Sequence, residues 1–322
     1  MKKLLTLFVF LSICLAVGAL PFADRPRIGL VLGGGGAKGA AEVGALKVIE
    51  EAGIPIDCIA GTSIGSIVGG LYAVGYRSAS LDSLFCSQEW SALLADRAEK
   101  HKGKIISEEE GVTYIFGYPV MRAGSKHADP LFGAVKGDNI VGLLRKLTQT
   151  ADSVNFNELP IPFRCVAADL KHSCEVVLDR GNLPLALRAS MAIPGVFKPV
   201  KTWHGVLYDG GLYNNLPADV VKAMGADIII AIDLTQEKES PRSFSLKESL
   251  GIGGLADWFV SRPDLRKYEE NSKLIDLFIN PDLDDYGVTS FSRESIEQMI
   301  KLGEQAAREK WDELMALKQM LL

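Results

Sequence analysis

The sequence predicts an α/β protein built on a mostly parallel sheet, and three observations lead there. Two short apolar runs, IGLVL (28–32) and IDCIA (56–60), flank a helical pattern. Each run breaks into a glycine-rich turn, GGGGAKG (33–39) and GTSIG (61–65), and a third apolar run, ADIIIAIDLT (226–235), follows another helical stretch. Apolar runs without alternation suit strands covered on both faces. Strand, helix and strand within about 35 residues make a parallel crossover.

The elements follow in order. Lys2 and Lys3 precede an apolar run from Leu4 to Val17, then small residues and Pro21. That layout is a secretory signal peptide with cleavage after Ala19 or Ala23, and the run falls short of the roughly 20 residues of a spanning helix. A retained N-terminal anchor is the alternative; a lipoprotein reading through Cys14 has Ile13 where a small residue is needed. The expected destination is periplasmic, secreted or outer-membrane associated. After the first strand, Ala41, Ala45, Leu46, Val48 and Ile49 recur at helical spacing until Gly53-Ile54-Pro55 stops them. Ile67 to Val74 form a small-residue helix ending at Gly75. Between Asp96 and Thr150 the alternation fades, and residues 111–135 read as a mobile flap or irregular substrate wall.

Regularity returns with FRCVAADL (163–170) and CEVVLD (174–179), two strands joined by a turn. A helix over Leu183–Met191, a Pro/Gly-punctuated stretch, a strand running into a turn in WHGVLYDGG (203–211) and a helix in PADVVKAMG precede the third apolar run. QEKESPRSFSLKES (236–249) is a polar linker. The tail holds two helical patterns around a strand, LIDLFIN (274–280). Ser292 caps the last helix, with Phe291 and Ile296 as a hydrophobic staple. Ile300, Ala307, Trp311, Leu314 and Leu321 form one apolar stripe, for docking on the protein's own core or, alternatively, on a membrane.

Composition bounds the function. With 322 residues, 48% hydrophobic and 23% charged, the chain is globular and neither disordered nor a disulfide scaffold. Lys+Arg (35) fall below Asp+Glu (40), so no nucleic-acid partner is expected. Losing residues 1–23 removes two lysines and no acid, taking the charge from -5 to about -7, which disfavours electrostatic adhesion to anionic membranes. Cys58, Cys86, Cys165 and Cys174 would remain; Cys165 and Cys174 lie on adjacent predicted strands, as a disulfide or as free thiols.

The chemistry sits in three motifs. GTSIG matches G-x-S-x-G, a strand-to-helix turn that holds a serine, here Ser63, strained and exposed as a nucleophile. GGGGAKG offers backbone N–H groups that can stabilise an oxyanion, with Lys38 adding positive potential. The same loop is also a literal G-x-G-x-x-G, a dinucleotide-binding signature, but no acid closes the second strand. A P-loop fails because Gly39 follows Lys38 where Ser or Thr is required. Of the four histidines (His101, His127, His172, His204), His204 is the one serious triad candidate. Asp209, in DGG (209–211) at a strand end, is the better base, provided the site shields it from water. No His/Cys/Asp cluster has metal-ligand spacing, so no metal or organic cofactor is expected.

Taken together, GGGGAKG, GTSIG and DGG, with ASMAIPGVFKPV (189–200), resemble the patatin-like phospholipases over residues 27–235. The resemblance implies a three-layer α/β/α fold and a Ser-Asp dyad, with Ser63 the acyl-accepting nucleophile and Asp209 its base. It implies an oxyanion hole from Gly34, Gly35 and Gly36 with Lys38 nearby, and Gly39, Gly61, Gly65, Gly210 and Gly211 as supporting glycines. The expected division is a signal peptide (1–23), a patatin-like domain (24–235), and a linker with a mainly helical C-terminal extension packed on the core (236–322). The expected activity is hydrolysis of a phospholipid or other acyl ester, with transient membrane-interface contact. An acyltransferase using the same acyl-enzyme, a nucleotide-binding module and an idle adaptor are the alternatives.

Overall fold

The computed structural model describes residues 25–94, 106–109, 112–115, 118–120, 133–150, 152–235 and 264–321. The expected signal peptide, most of the 111–135 insert, His101, His127 and the 236–249 linker lie outside the described residues.

Eight strands make the central sheet: β1 (Ile28–Leu32), β2 (Cys58–Thr62), β3 (Phe163–Asp169), β4 (Cys174–Leu178), β5 (Val200–Thr202), β6 (Gly205–Asp209), β7 (Ile228–Ile232) and β8 (Leu277–Ile279). Their order is β5-β6-β3-β2-β1-β7-β8, with β4 also paired to β3. β3, β2, β1, β7 and β8 run parallel, while β4, β5 and β6 add antiparallel pairings at one end. Among the described residues the α-helices longer than one turn are α1 (Ala40–Ala52), α2 (Ile64–Ala73), α3 (Ser78–Ser87), α4 (Asp138–Thr148), α5 (Leu183–Ser190), α6 (Ala218–Ala223), α7 (Leu265–Ser272), α8 (Arg293–Glu309) and α9 (Trp311–Met320).

The apolar runs are buried on both faces because side chains alternate across a strand. Ile28, Leu30 and Leu32, with Ile228, Ile230 and Ile232, enter the large core shared with α1, α2 and α8. Val31, Cys58, Ala60 and Ile229 point the other way, onto Val220 and Val221 of α6 and Tyr268 of α7. Helices thus cover both faces of the sheet, giving the three layers.

Residues 264–321 share this sheet and core. β8 extends the sheet past β7, in register from Ile230↔Leu277 to Ile232↔Ile279. α8 starts at Ser292, whose hydroxyl accepts from the Ser295 N–H at 3.1 Å, and lies directly on α1. Two glycines allow that contact: a Cβ at Gly44 would fall 1.9 Å from the Ile300 carbonyl oxygen, and one at Gly303 1.8 Å from that of Ala41. The expected single last helix is two. Lys310 (φ -96°, ψ 11°) turns the chain between α8 and α9, and Leu314 still reaches the core.

The two candidate disulfide partners sit on neighbouring strands but are not opposed. Cys165 faces Leu178 and Cys174 faces Asp169, and both thiols are free.

Candidate active site

Strand register brings two of the three motifs together. β2 runs parallel to β3 and ends with Thr62 opposite Val166. β6 runs antiparallel to β3 and ends with Asp209 opposite Ala167, one rung further on. β4 pairs with residues 165–169 of β3 and so occupies its other edge. β2 and β6 therefore meet end to end along one edge of β3, and the residues at their tips must face each other.

Ser63 follows β2 and opens α2. Its backbone has φ 55° and ψ -123°, a conformation costing a non-glycine residue about 1–3 kcal/mol and held only by its surroundings. Three contacts hold it. The Ser63 N–H donates to Ser190 Oγ at 2.9 Å, Ser190 Oγ donates to the Val166 carbonyl at 2.6 Å, and Ser66 Oγ donates to the Ser63 carbonyl at 2.6 Å. The glycines beside the elbow leave room for its neighbours: a Cβ at Gly65 would lie 2.4 Å from the Leu32 carbonyl oxygen, and one at Gly39 2.2 Å from Ile64.

Ser63 Oγ donates to Asp209 Oδ2 at 2.7 Å, across 146 residues of sequence. Asp209 is wholly buried, and its Oδ1 accepts the Gly211 N–H at 2.9 Å. Burial pushes its carboxyl up to about 7, against smaller downward pulls from the Gly211 amide, the Ser63 hydroxyl and the charge of Arg188. Arg188 is itself buried; its Nη2 donates to the carbonyls of Lys136 and Lys198 at 2.7 and 2.8 Å, and its guanidinium lies 4.8 Å from the centre of the Phe197 ring. His204 sits at the far end of β6 from Asp209, with its ring against Trp203. His172 meets Asp169 at 2.5 Å. Neither histidine is the partner of Ser63.

The glycine loop divides its amides unequally. Gly33 N–H donates to the Ile232 carbonyl and Gly34 N–H to the Asn215 carbonyl, both at 3.2 Å. Gly34 thus differs from expectation: its amide is already engaged, and its place in the loop is steric. A Cβ there would lie 2.3 Å from Asn215 Oδ1 and 3.1 Å from Ser63 Cβ. The amides of Gly35 and Gly36 have no acceptor among the described residues. Gly36 has φ +58°, and a Cβ on it would meet the Val288 carbonyl oxygen at 2.5 Å. Lys38 follows in the same turn and is half-buried. Behind the loop, burial pushes the Glu42 carboxyl well above the usual carboxylate range, outweighing the Gly33 amide.

Sequence reasoning missed Ser190, Arg188, Asn215 and Val288. Asn215 Nδ2 donates back to the Gly34 carbonyl at 3.2 Å, and the Val288 carbonyl accepts the Ala37 N–H at 2.9 Å. Ser190 carries a direct prediction. Ser190→Ala leaves a buried N–H and a buried carbonyl unpaired, so it should lower unfolding free energy in urea by about 2 kcal/mol and lower kcat more than it raises KM. Unchanged stability would show that the elbow holds itself.

Ser63 faces a cavity of about 1320 Å³, counting its open mouth. Among the described residues its walls are mostly aliphatic and aromatic side chains from α2, α3, α4 and residues 88–94, 191–197 and 288–291; Gln88 and Thr289 are polar, and none is charged.

A family model described as patatin-like phospholipase matches residues 30–222, well over half of the chain. The chain belongs to the patatin-like phospholipase family. Relatives in this family include lysophospholipase NTE1 of Mycosarcoma maydis, 32% identical over 77% of this chain and 11% of that protein. Human patatin-like phospholipase domain-containing protein 6 is 32% identical over 78% of this chain and 16% of that protein. An uncharacterised NTE family protein of Mycobacterium tuberculosis is 33% identical over 68% of this chain and 52% of its own length. The chain thus spans about half, or much less, of the length of these relatives. Among solved structures, VipD from Legionella pneumophila gives a TM-score of 0.47 at 14% identity, covering 90% of this chain and 67% of that one. The patatin-like match ends before Val288, so part of the cavity wall comes from outside it.

Proposed function

We propose that this patatin-like protein is a serine-dependent lipid acyl hydrolase. The observation that carries the reading is the 2.7 Å bond from Ser63 Oγ to Asp209 Oδ2, with Ser63 lining a mostly apolar cavity that has no charged side chain among the described residues. A hydrocarbon chain fits such walls, and an ester carbonyl at its end would lie beside the hydroxyl. Ser63 Oγ attacks the carbonyl carbon as Asp209 takes its proton. The carbonyl oxygen becomes an oxyanion facing the amides of Gly35 and Gly36, a kind of donor worth about 3–4 kcal/mol each in the transition state. Collapse expels the alcohol, which takes the proton from Asp209, and leaves an acyl-serine. Water then attacks with Asp209 again as base, releasing the acid and restoring the hydroxyl.

The nucleotide-binding alternative lacks support at β2. Its last residue, Thr62, donates its hydroxyl to the Asn214 carbonyl at 2.8 Å, where a dinucleotide fold carries an acid. We place the protein outside the cytoplasm on the N-terminal segment alone, and fractionation of cells expressing the full chain tests that.

Labelling with a fluorophosphonate, followed by peptide mapping, tests the reaction. The expected adduct is on Ser63, and Ser63→Ala should abolish both the label and ester hydrolysis. An adduct elsewhere, or a folded Ser63→Ala protein with full activity, would sink the reading. Adding an alcohol acceptor in the same assay separates hydrolysis from acyl transfer by product.

A further inference from the structure

We infer that the cavity measures its substrate: it seats one acyl chain of about ten carbons, with Leu71 and Leu147 as its floor. This deepens the hydrolase reading and rests on it. Ser63, Ile64, Ile67 and Leu71 all line the cavity, and their spacing puts them on one face of α2. At about 1.5 Å per residue, the wall from Ser63 to Leu71 is about 12 Å long. Ile140, Leu144 and Leu147 line it from α4 at spacings of four and three residues, a second wall of about 10 Å. The ends of these two walls are tied together: Tyr76, just past α2, donates its hydroxyl to the Leu147 carbonyl at 3.2 Å. Leu71 is 1% exposed, so the wall does not continue into solvent there.

An extended hydrocarbon with bonds of about 1.52 Å and near-tetrahedral angles advances roughly 1.25 Å per carbon. Twelve ångströms therefore takes about ten carbons. Among the described residues the lining carries no charged side chain, so a phosphate or other polar head group stays outside with the alcohol side of the ester, where desolvation does not penalise it. Each methylene seated should raise kcat/KM about fourfold, from about 0.8 kcal/mol of burial, until the floor is reached. Longer chains must bend or displace side chains.

The test is kcat/KM for nitrophenyl esters from C4 to C16 in one detergent, with the full chain. The expected profile climbs to an optimum at C8–C10 and falls at least tenfold by C16. Leu147→Phe should move the optimum down by two or more carbons, and Leu71→Ala should move it up. Because each optimum is a ratio within one protein, partial loss of folded material does not shift it. A wild-type profile still rising at C16, or an optimum unmoved by both variants, overturns the ruler while leaving the hydrolase reading standing. Hydrolysis that survives Ser63→Ala overturns both.

Discussion

Asp209→Asn should lower kcat/KM by about 10²–10⁴-fold while making the protein more stable near neutral pH than the parent. Asparagine keeps the shape, can accept the Gly211 N–H and can donate to Ser63 Oγ, but it cannot take a proton. The stability gain follows from linkage. Asp209 is fully buried and its carboxyl is held up at about 7 by that burial, whereas the unfolded chain ionises near 3.9. A carboxyl raised on folding contributes its stability below the unfolded pKa and loses it as pH rises through the folded one. The deficit therefore opens between pH 4 and 7, and its full size is on the order of 4 kcal/mol. Thermal unfolding of both proteins from pH 4 to 8 should show the Tm gap widening in favour of Asp209→Asn and levelling above pH 7. Activity of the parent should run the opposite way, with kcat/KM rising on an acid limb near pH 7. An acid limb near pH 4 would mean that Asp209 is solvated and would remove the basis of both expectations.

Gly303→Ala should cost about 3 kcal/mol or more, although it adds one methyl group in a helix, where alanine is otherwise favoured. The added carbon would sit 1.8 Å from the Ala41 carbonyl oxygen, a main-chain atom that cannot rotate aside. α8 must then lift off α1. Because α1 begins one residue after the glycine loop, the displacement should also reach Ser63 and lower kcat. Gly142→Ala provides the contrast: it lies within α4 with nothing among the described residues inside 4 Å of its added carbon. There the ordinary helix preference should hold, raising stability by about 0.5–1 kcal/mol. Urea unfolding of the two variants checks the pair, and equal effects would mean that the α1–α8 contact yields without cost.

The features legible in the sequence were local ones. IGLVL and GGGGAKG announce a buried strand and the turn that ends it through apolar run and glycine spacing alone, and Ser63 is readable because its motif requires a specific backbone turn. What was not legible depends on contacts across long stretches of chain. Ser190 matters because its hydroxyl lands between Ser63 and Val166, and Asn215 because its carbonyl takes the Gly34 amide. Ser and Asn in loops carry no local mark of such a role. Gly303 reads as a weak point in an amphipathic helix until Ala41 is placed against it. LIDLFIN shows that it is a strand, but not that it lies beside β7.

The meeting of β2 and β6 along one edge of β3 has a consequence for how this chain can vary. The 2.7 Å separation of Ser63 from Asp209 is fixed by two adjacent rungs of main-chain pairing, Thr62 to Val166 and Asp209 to Ala167. Within the intervening 145 residues, β3 and the Ser66 and Ser190 hydroxyls hold that geometry, and the rest of the segment does not enter it. Insertions, deletions and exchanges between α2 and β3, or between α5 and β5, can reshape the walls that a substrate touches without moving the reacting atoms. A shift of β6 by a single rung would replace Asp209 with Tyr208 or Gly210 at the serine. The chain is thus free to change what it accepts and tightly bound in where the reaction happens.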